Sequence, residues 1–252
     1  MAALLLSVII PSYNEQPNLK RGVLQEVADY LNRQSYTWEV ILSDDGSTDG
    51  TVELLTEFAT SHPGFKFLAN THAGKGPTVK NGMLAATGEW RLFTDFDQST
   101  PLSEIEKFWP LTKDNQVISG SREAVGAVRD KEPLLRHIMG RGFNFLVQLL
   151  AVPGMQDTQC GFKLFSAVAA EKLFRQLYIY GGHQVMKDAF TGAFDVELLF
   201  LAHKYKLPIA EVAILWKHFK SDRVSPLKDS YRMLRDILKI RWADLTGKYA
   251  TS

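Results

Sequence analysis

The sequence has almost no cysteine and no long apolar run. Cys160 is the only cysteine among the 252 residues, so an intrachain disulfide and a cysteine metal cage are both excluded. This composition suits a reducing compartment, and we expect a cytoplasmic protein. No run reaches the ~18 to 20 apolar residues of a membrane-spanning helix, and the nearest, 134–152, is interrupted by Arg136, His137 and Arg141. We predict no transmembrane helix.

Motifs of several common enzyme classes are also missing. The apolar start at 1–10 has no basic segment before it and no small-residue cleavage site, which predicts a buried strand and no signal peptide. G-x-G-x-x-G does not follow this strand, which disfavours a dinucleotide-binding oxidoreductase. The six histidines show no metal-ligand spacing, and no nucleophile elbow supports Ser-His-Asp catalysis.

The charge of the chain is small overall but unevenly distributed. Formal net charge is +1, which gives no electrostatic reason to expect a nucleic-acid partner. Residues 203–252 contain eleven Lys or Arg against five Asp or Glu. This basic end is suited to phosphates or an anionic membrane, although a solvated helical face explains it equally simply.

Short runs rich in Val, Ile and Phe alternate with helical patterns, which indicates an α/β fold with a mainly parallel sheet and crossover helices. One domain covering 1–252 is expected from the length. The predicted strands are 5–10, 38–42, 65–69, 90–94, 116–120, 162–165 and 209–216. The predicted helices are 17–34, 49–61, one opening at 74, one from 102, 134–152, 166–177, 195–205 and 226–242, with a Gly-rich loop at 180–192.

Polar clusters follow four successive predicted strands, where ligands bind in an open parallel sheet because loops and helix N-termini meet there. These clusters are Pro11 to Glu15, Asp44 to Asp49, Gly74-Lys75-Gly76 and Asp95-Phe96-Asp97. One such cluster would be unremarkable, but four together predict a polar crevice of nucleotide size.

Asp95-Phe96-Asp97 directly follows a buried strand. Two carboxylates in this position can hold Mg²⁺ or Mn²⁺ while the ion also bridges a diphosphate leaving group. The alternative is simple capping of the helix that follows. The neighbouring acidic pair Asp44 and Asp45 favours the metal interpretation.

Asp44 and Asp45 end an apolar strand, where adjacent carboxylates are costly unless they accept hydrogen bonds. A uracil or guanine edge and a ribose offer such donors, and we also expect Asp45 to close a turn with Gly46 and Ser47. Gly74-Lys75-Gly76 resembles a phosphate cradle, but it lacks P-loop spacing, so Lys75 is equally consistent with a surface lysine.

Several of these motifs together resemble the family 2 inverting glycosyltransferases of the GT-A fold. The motifs in the second half of the chain narrow the resemblance to the dolichyl-phosphate glucose and mannose synthases, and they are most similar to the glucosyl branch. The motifs that carry it are Ser7 to Pro11 with Tyr13-Asn14-Glu15, Asp44 to Thr51, Gly74-Lys75-Gly76, Thr94 to Asp97, Gly120-Ser121-Arg122, Asp157 to Phe165 and Phe194 to Leu199.

The resemblance implies a role for particular residues. It implies a nucleotide-sugar-binding half at 1–121 and an acceptor-binding half at 122–252. Residues implied to hold the nucleoside are Pro11, Tyr13, Glu15 and Asp45. Residues implied to bind metal and diphosphate are Asp95, Asp97 and Ser99. Basic residues implied to grip phosphates are Arg122, Arg136 or Arg141, and Arg223, since arginine donates two hydrogen bonds at once. Asp157 and Asp195 are implied to shape the acceptor side.

The implied reaction is inverting transfer of a hexose, from UDP-glucose or alternatively GDP-mannose, to a polyprenyl or dolichyl phosphate. A lipid phosphate is already anionic at neutral pH, so alignment and charge neutralisation matter more than a strong base. Many members of the family carry terminal transmembrane helices. Because none is predicted in this sequence, we expect peripheral contact with the cytoplasmic face of a membrane. Other interpretations are a non-lipid acceptor, a nucleotidyltransferase and a non-catalytic sugar-nucleotide sensor.

Overall fold

The computed structural model describes residues 4–130, 142, 144, 146–181, 193–219 and 226–249, with side chains from 231 in the last range. These residues contain nine strands: β1 (Leu6–Ser12), β2 (Trp38–Asp44), β3 (Phe65–Ala69), β4 (Trp90–Thr94), β5 (Val117–Ser121), β6 (Val128–Arg129), β7 (Phe162–Ser166), β8 (Ile209–Ala213) and β9 (Leu215–Trp216). The α-helices are α1 (Gln16–Lys20), α2 (Val23–Leu31), α3 (Thr51–Ser61), α4 (Lys75–Ala85), α5 (Ala167–Gln176), α6 (Phe194–Lys204) and α7 (Pro226–Leu245).

The main sheet has seven strands in the order β3-β2-β1-β4-β7-β5-β8. All neighbouring pairs are parallel except those made by β7, which runs antiparallel to both β4 and β5. The prediction of a mainly parallel sheet is confirmed. The predicted single strand at 209–216 is wrong, because β8 pairs with β5 whereas β9 leaves the sheet and pairs with β6.

Two predicted helices differ from those in the structure. The helix predicted at 17–34 is divided into α1 and α2 by Gly22, whose φ of 85° lies in the left-handed region that only glycine adopts without strain. The helix predicted from 102 is a 3₁₀ helix, Leu102–Lys107. The other predicted elements in the described residues begin and end within two residues of those observed, except that α7 ends three residues later than predicted, and such boundary differences are normal.

The apolar core lies on both faces of the sheet, because alternate side chains of a strand point in opposite directions. In β1, Ile9 packs with the helices on one face, including α5 and α6. Val8 and Ile10 pack on the other face with α2 and with Phe108. All three β1 side chains are fully buried, each contributing about 1.5 to 3 kcal/mol.

Two predicted segments lie mainly outside the described residues. Of the predicted helix 134–152, residues 146–150 are helical, and Leu149 is 70% exposed. The predicted loop 180–192 is described only at 180 and 181. Across the part of the chain that the structure describes, no helix has the length and apolarity needed to cross a membrane.

Candidate active site

The parallel strands β1, β2 and β4 end at the same edge of the sheet, where the predicted polar clusters are brought together. The final residue pair of β1 and β2 joins Ser12 to Asp44, and the Ser12 hydroxyl donates to Asp44 Oδ1 at 3.0 Å. Beyond β4, the chain turns directly into Asp95 and Asp97. The predicted convergence of these clusters is therefore confirmed, while the roles of the individual residues stay predictions.

Asp44 closes the turn after β2, where we expected Asp45 to do so. The Asp44 carboxylate accepts the backbone N–H of Ser47 at 2.8 Å and its hydroxyl at 2.5 Å. Asp45 instead reaches the connection between β3 and α4, where it accepts the N–H of Ala73 at 2.9 Å and that of Gly74 at 3.0 Å. The physical reason is that the Asp45 carboxylate is already bound by the N–H groups of Ala73 and Gly74, which leaves Asp44 to accept from Ser47.

The β1 loop lies against the same connection. The Tyr13 ring stacks on His72 with ring centroids 4.4 Å apart, and His72 Nδ1 lies 2.9 Å from Asp45 Oδ2. Glu15 is buried, and its carboxylate accepts from Asn18 at 2.6 Å. Pro11 is buried within β1. Thus Tyr13 and Asp45 are linked through His72, which the sequence interpretation did not include.

Lys75, at the first position of α4, forms an ion pair with Asp95. Burial acts to lower the pKa of Lys75, but the negative charges of Asp95, Asp195 and Asp97 outweigh it and raise the pKa. The ammonium is therefore charged at neutral pH. This pairing with Asp95 places Lys75 inside the candidate site instead of on an unrelated surface.

Asp97 is held by Ser99. The Ser99 N–H donates to Asp97 Oδ1 at 2.9 Å, and Arg21 Nη2 donates to the Asp97 carbonyl at 2.5 Å. Burial, together with the charge of Asp95, raises the pKa of Asp97, so a cation near these two carboxylates would be stabilising. Ser99, predicted as a metal ligand, lies where it orients Asp97.

The donor set at Asp95 and Asp97 fits a hard divalent cation, since Mg²⁺ and Mn²⁺ prefer oxygen ligands. Within the described residues, no group of three or more His, Cys, Asp or Glu could enclose a metal by itself. An ion at this place would therefore take its remaining oxygens from water, and from a diphosphate when one is bound, which is the usual arrangement for Mg²⁺ with phosphates.

Gly161 leaves the space that the Asp95 carboxylate occupies. A Cβ at this glycine would lie 2.0 Å from Asp95 Oδ2, far inside contact distance. The Asp95 N–H also donates to the Gly161 carbonyl at 3.2 Å. Gly161, the residue before β7, thus binds the Asp95 backbone and leaves room for the Asp95 carboxylate.

Arg122 and Asp157 form a bidentate pair at the end of β5. Arg122 Nε lies 2.7 Å from Asp157 Oδ2, and Nη2 lies 2.9 Å from Oδ1. Burial acts to raise the pKa of Asp157, but Arg122 outweighs it and holds the pKa well below its usual range. Glu211 in β8 accepts the N–H of Asp157 at 2.7 Å. Arg122 and Asp157 were both predicted for the site, and the structure joins them directly.

Lys163 was missed by the sequence interpretation. It is fully buried in β7, and its Nζ lies 2.8 Å from Asp195 Oδ1. Burial raises the pKa of Asp195 even though Lys163 and Lys75 oppose the shift. The available signal was a lysine within an otherwise apolar strand, Phe162-Lys163-Leu164-Phe165.

Three predicted phosphate-binding residues, Arg136, Arg141 and Arg223, lie outside the described residues. A cavity of about 710 Å³ lies at the opposite end of β4, beside Arg91 and Lys172. None of the predicted site residues lines this cavity, so we base the candidate site on the carboxyl edge of the sheet.

The mainly parallel sheet, with β7 inserted antiparallel and the polar clusters at its carboxyl edge, is the GT-A fold of glycosyltransferases. Solved structures support this fold. Glucosyl-3-phosphoglycerate synthase from Mycobacterium tuberculosis, in complex with Mn²⁺, UDP and phosphoglyceric acid, covers 99% of this chain and 80% of its own, with a TM-score of 0.63 and 16% identity. Mannosyl-3-phosphoglycerate synthase from Rubrobacter xylanophilus covers 97% of this chain and 76% of its own, with a TM-score of 0.61 and 17% identity.

The chain belongs to glycosyl transferase family 2, whose profile matches residues 7–174. Dolichyl-phosphate beta-glucosyltransferase of Dictyostelium discoideum is 35% identical over 257 residues, covering 96% of this chain and 75% of that protein. The human protein of the same name is 34% identical over 268 residues, covering 97% of this chain and 77% of its own. The predicted family resemblance is therefore confirmed.

Proposed function

We propose that this glycosyltransferase transfers glucose from UDP-glucose to dolichyl phosphate or a related polyprenyl phosphate, with inversion at the anomeric carbon. Relatives that match almost the whole chain carry the name dolichyl-phosphate beta-glucosyltransferase. The observation that carries the proposal is the grouping of Asp95 and Asp97 with two cations at one edge of the sheet. Lys75 is ion-paired with Asp95, and Arg122, which is paired with Asp157, lies near enough to Asp95 for its charge to act on the guanidinium.

Donor binding is assigned to the first half of the site. Tyr13 and Asp45 face the nucleoside, with Glu15 and Pro11 supporting the loop, and Asp44 maintains the turn that presents Asp45. Asp95 and Asp97 would hold Mg²⁺ or Mn²⁺, and the bound ion would supply charge neutralisation for the departing nucleoside diphosphate. Lys75 lies against Asp95 and can donate to the same phosphates.

Acceptor binding is assigned to the second half. Arg122 offers a guanidinium oriented by Asp157, together with Arg136 or Arg141 and Arg223 from the resemblance. Since a lipid phosphate is an anionic nucleophile at neutral pH, the reaction does not require a strong base. Asp157 and Asp195 are therefore positioning residues in this proposal: each is ion-paired with a buried or half-buried cation.

The enzyme would act at the cytoplasmic face of a membrane, because the acceptor's prenyl chain is held there while its phosphate faces water. Peripheral contact is enough for this task, since only the phosphate has to enter the site. The basic content of residues 203–252 supports such contact.

The deciding experiment is an assay of the purified protein with Mg²⁺ or Mn²⁺, a panel of nucleotide sugars and a polyprenyl phosphate, with the product identified by mass. We expect a hexosyl polyprenyl phosphate, with UDP-glucose as the preferred donor. Release of pyrophosphate would indicate a nucleotidyltransferase, and nucleotide binding without turnover would indicate a sensor.

Asp97→Ala tests the metal assignment in the same assay. We expect loss of transfer together with loss of Mn²⁺ binding in a titration of the nucleotide-bound protein. Asp114→Ala is a suitable control because its carboxylate is 72% exposed and contacts only Lys113 among the ion pairs of the described residues. Full activity in Asp97→Ala would refute the assignment.

A further inference from the structure

The outer face of α7 carries an apolar stripe that the described protein leaves uncovered. Tyr231, Leu238, Trp242 and Leu245 are 71%, 54%, 69% and 76% exposed, respectively. Their separations of seven, four and three residues place all four on one face of an α-helix. Large apolar side chains grouped in this way indicate a contact surface, whereas single exposed ones do not.

Basic side chains flank this stripe on both sides. At 100° per residue, Arg235 and Lys239 lie on one flank, and Arg241 lies on the other. Their side chains are 54%, 49% and 44% exposed. The outer face of α7 from 231 onward therefore presents apolar groups with positive charge on each side.

The two acidic residues of α7 from 231 onward are on the inner side. Asp236 is 4% exposed and accepts from the Tyr180 hydroxyl at 2.6 Å. Asp244 is paired with Lys204 of α6. These carboxylates also pair with the flanking cations: Asp236 Oδ1 lies 3.5 Å from Arg235 Nε and 3.0 Å from Lys239 Nζ, and Asp244 Oδ2 lies 4.0 Å from Arg241 Nη1. The two acidic side chains are 6% and 21% exposed, whereas the three basic ones are 44% to 54% exposed, so three cations face outward against two carboxylates that face the protein. This excess of outward positive charge suits an anionic partner.

We propose that this face of α7 docks on the surface of a bilayer containing anionic phospholipid, with the helix lying in the plane of the interface. Such helices combine an apolar face with Lys and Arg at its borders, and tryptophan is favoured at the level of the headgroups. Each basic residue near an anionic surface adds about 1 kcal/mol of attraction. A protein partner would not require cations on both flanks and acids confined to the inner side.

The docked helix would place the membrane beside the acceptor half of the site. Gln159 Nε2 lies 3.7 Å from Met233 Sδ, so the first half of α7 contacts the turn that contains Asp157. The purpose of this docking rests on the proposed function: a bilayer on α7 would present lipid phosphates on the side of the molecule that carries Asp157 and its partner Arg122.

Vesicle sedimentation of the full chain tests the proposal. We expect the wild type to bind vesicles of phosphatidylcholine mixed with phosphatidylglycerol, and to bind vesicles of phosphatidylcholine alone at least about tenfold more weakly. Added salt should release the protein from the mixed vesicles, because it screens the charges. Leu238→Glu with Trp242→Glu should reduce binding to the mixed vesicles by more than about tenfold, since charged groups replace the two central apolar ones. Arg235→Gln should reduce it about fivefold.

Val168→Glu is the matched control, because Val168 is 73% exposed on α5, and we expect it to bind as the wild type does. Equal binding by the double variant and the wild type would overturn the proposal. So would a wild-type dimer that the double variant converts to a monomer without any vesicle binding, since the stripe would then be a subunit interface.

A short-chain, water-soluble prenyl phosphate separates this proposal from the proposed function. The double variant should transfer glucose to this acceptor at the wild-type rate, because α7's outer face does not touch the site. If neither protein transfers glucose to any prenyl phosphate while vesicle binding follows the expected pattern, the proposed function fails and the docking surface stands.

Discussion

The Cα of Gly161 faces the carboxylate of Asp95 so closely that a methyl group added there would lie 2.0 Å from Oδ2. The Gly161 carbonyl also accepts the Asp95 N–H, which holds the two backbone segments together. An added side chain must therefore displace the Asp95 carboxylate, which is proposed to hold the metal.

Gly161→Ala is predicted to reduce transfer by about 100-fold or more, the loss expected when a reacting group is misplaced by about 1 Å. Initial rates at saturating donor and metal measure it. Gly142→Ala is the control, because a Cβ at Gly142 meets nothing within 4 Å. Wild-type activity in Gly161→Ala would show that Asp95 does not need its observed position.

Lys75→Met is predicted to strengthen Mn²⁺ binding to the nucleotide-free protein by about tenfold, or about 1.4 kcal/mol. The lysine supplies the positive charge at Asp95, and a divalent ion has to compete with it. Transfer should nevertheless fall, because a donor to the phosphates is lost. Electron paramagnetic resonance of free Mn²⁺ measures the affinity. Lys113→Met, with a side chain 78% exposed, should leave it unchanged.

Asp157→Asn is predicted to destabilise the fold by about 3 to 5 kcal/mol at neutral pH, because the Arg122 charge loses its buried partner. Arg122 holds the folded-state pKa of Asp157 below the unfolded value of about 3.9. The pair's contribution is therefore full above that value and is lost as the pH falls through the folded-state pKa. Urea unfolding at pH 7 and at lower pH should show the difference between wild type and variant shrinking only below about pH 4. A difference that vanishes near pH 6 would contradict this assignment.

Lys163 and Asp195 are predicted to be energetically coupled. Lys163→Met or Asp195→Asn alone leaves a buried charge without its partner and should cost about 3 to 5 kcal/mol. The double variant should be destabilised by clearly less than the sum of the two, and urea unfolding of all four proteins gives the coupling energy. A coupling below about 0.5 kcal/mol would mean that the pair is not an energetic unit.

The first four strands could be predicted from the sequence because each is a local pattern: an apolar run followed by a polar tip. The place of β7 could not, since nothing in Phe162-Lys163-Leu164-Phe165 indicates that this strand inserts antiparallel between β4 and β5. Strand order is decided by packing between distant segments, which a local pattern does not contain.

The difference between local patterns and contacts of distant segments also explains which residues of the candidate site could be predicted. Asp95 and Asp97 were recognisable because both follow one strand. Lys163 was not, because its partner Asp195 is 32 residues away and only folding brings the two together. A lysine in a strand ordinarily suggests an exposed position, and its complete burial follows from that distant carboxylate.

Glu197 links Tyr249, near the end of the described chain, to the helix that carries Asp195. Glu197 lies two residues after Asp195 on α6. Its carboxylate accepts the N–H groups of Tyr178, Ile179 and Tyr180 and the hydroxyl of Tyr249. Expression variants shortened before Tyr249 would lose one of these donors from a fully buried carboxylate. Anyone trimming this enzyme for crystallisation should therefore keep Tyr249 and shorten the chain elsewhere.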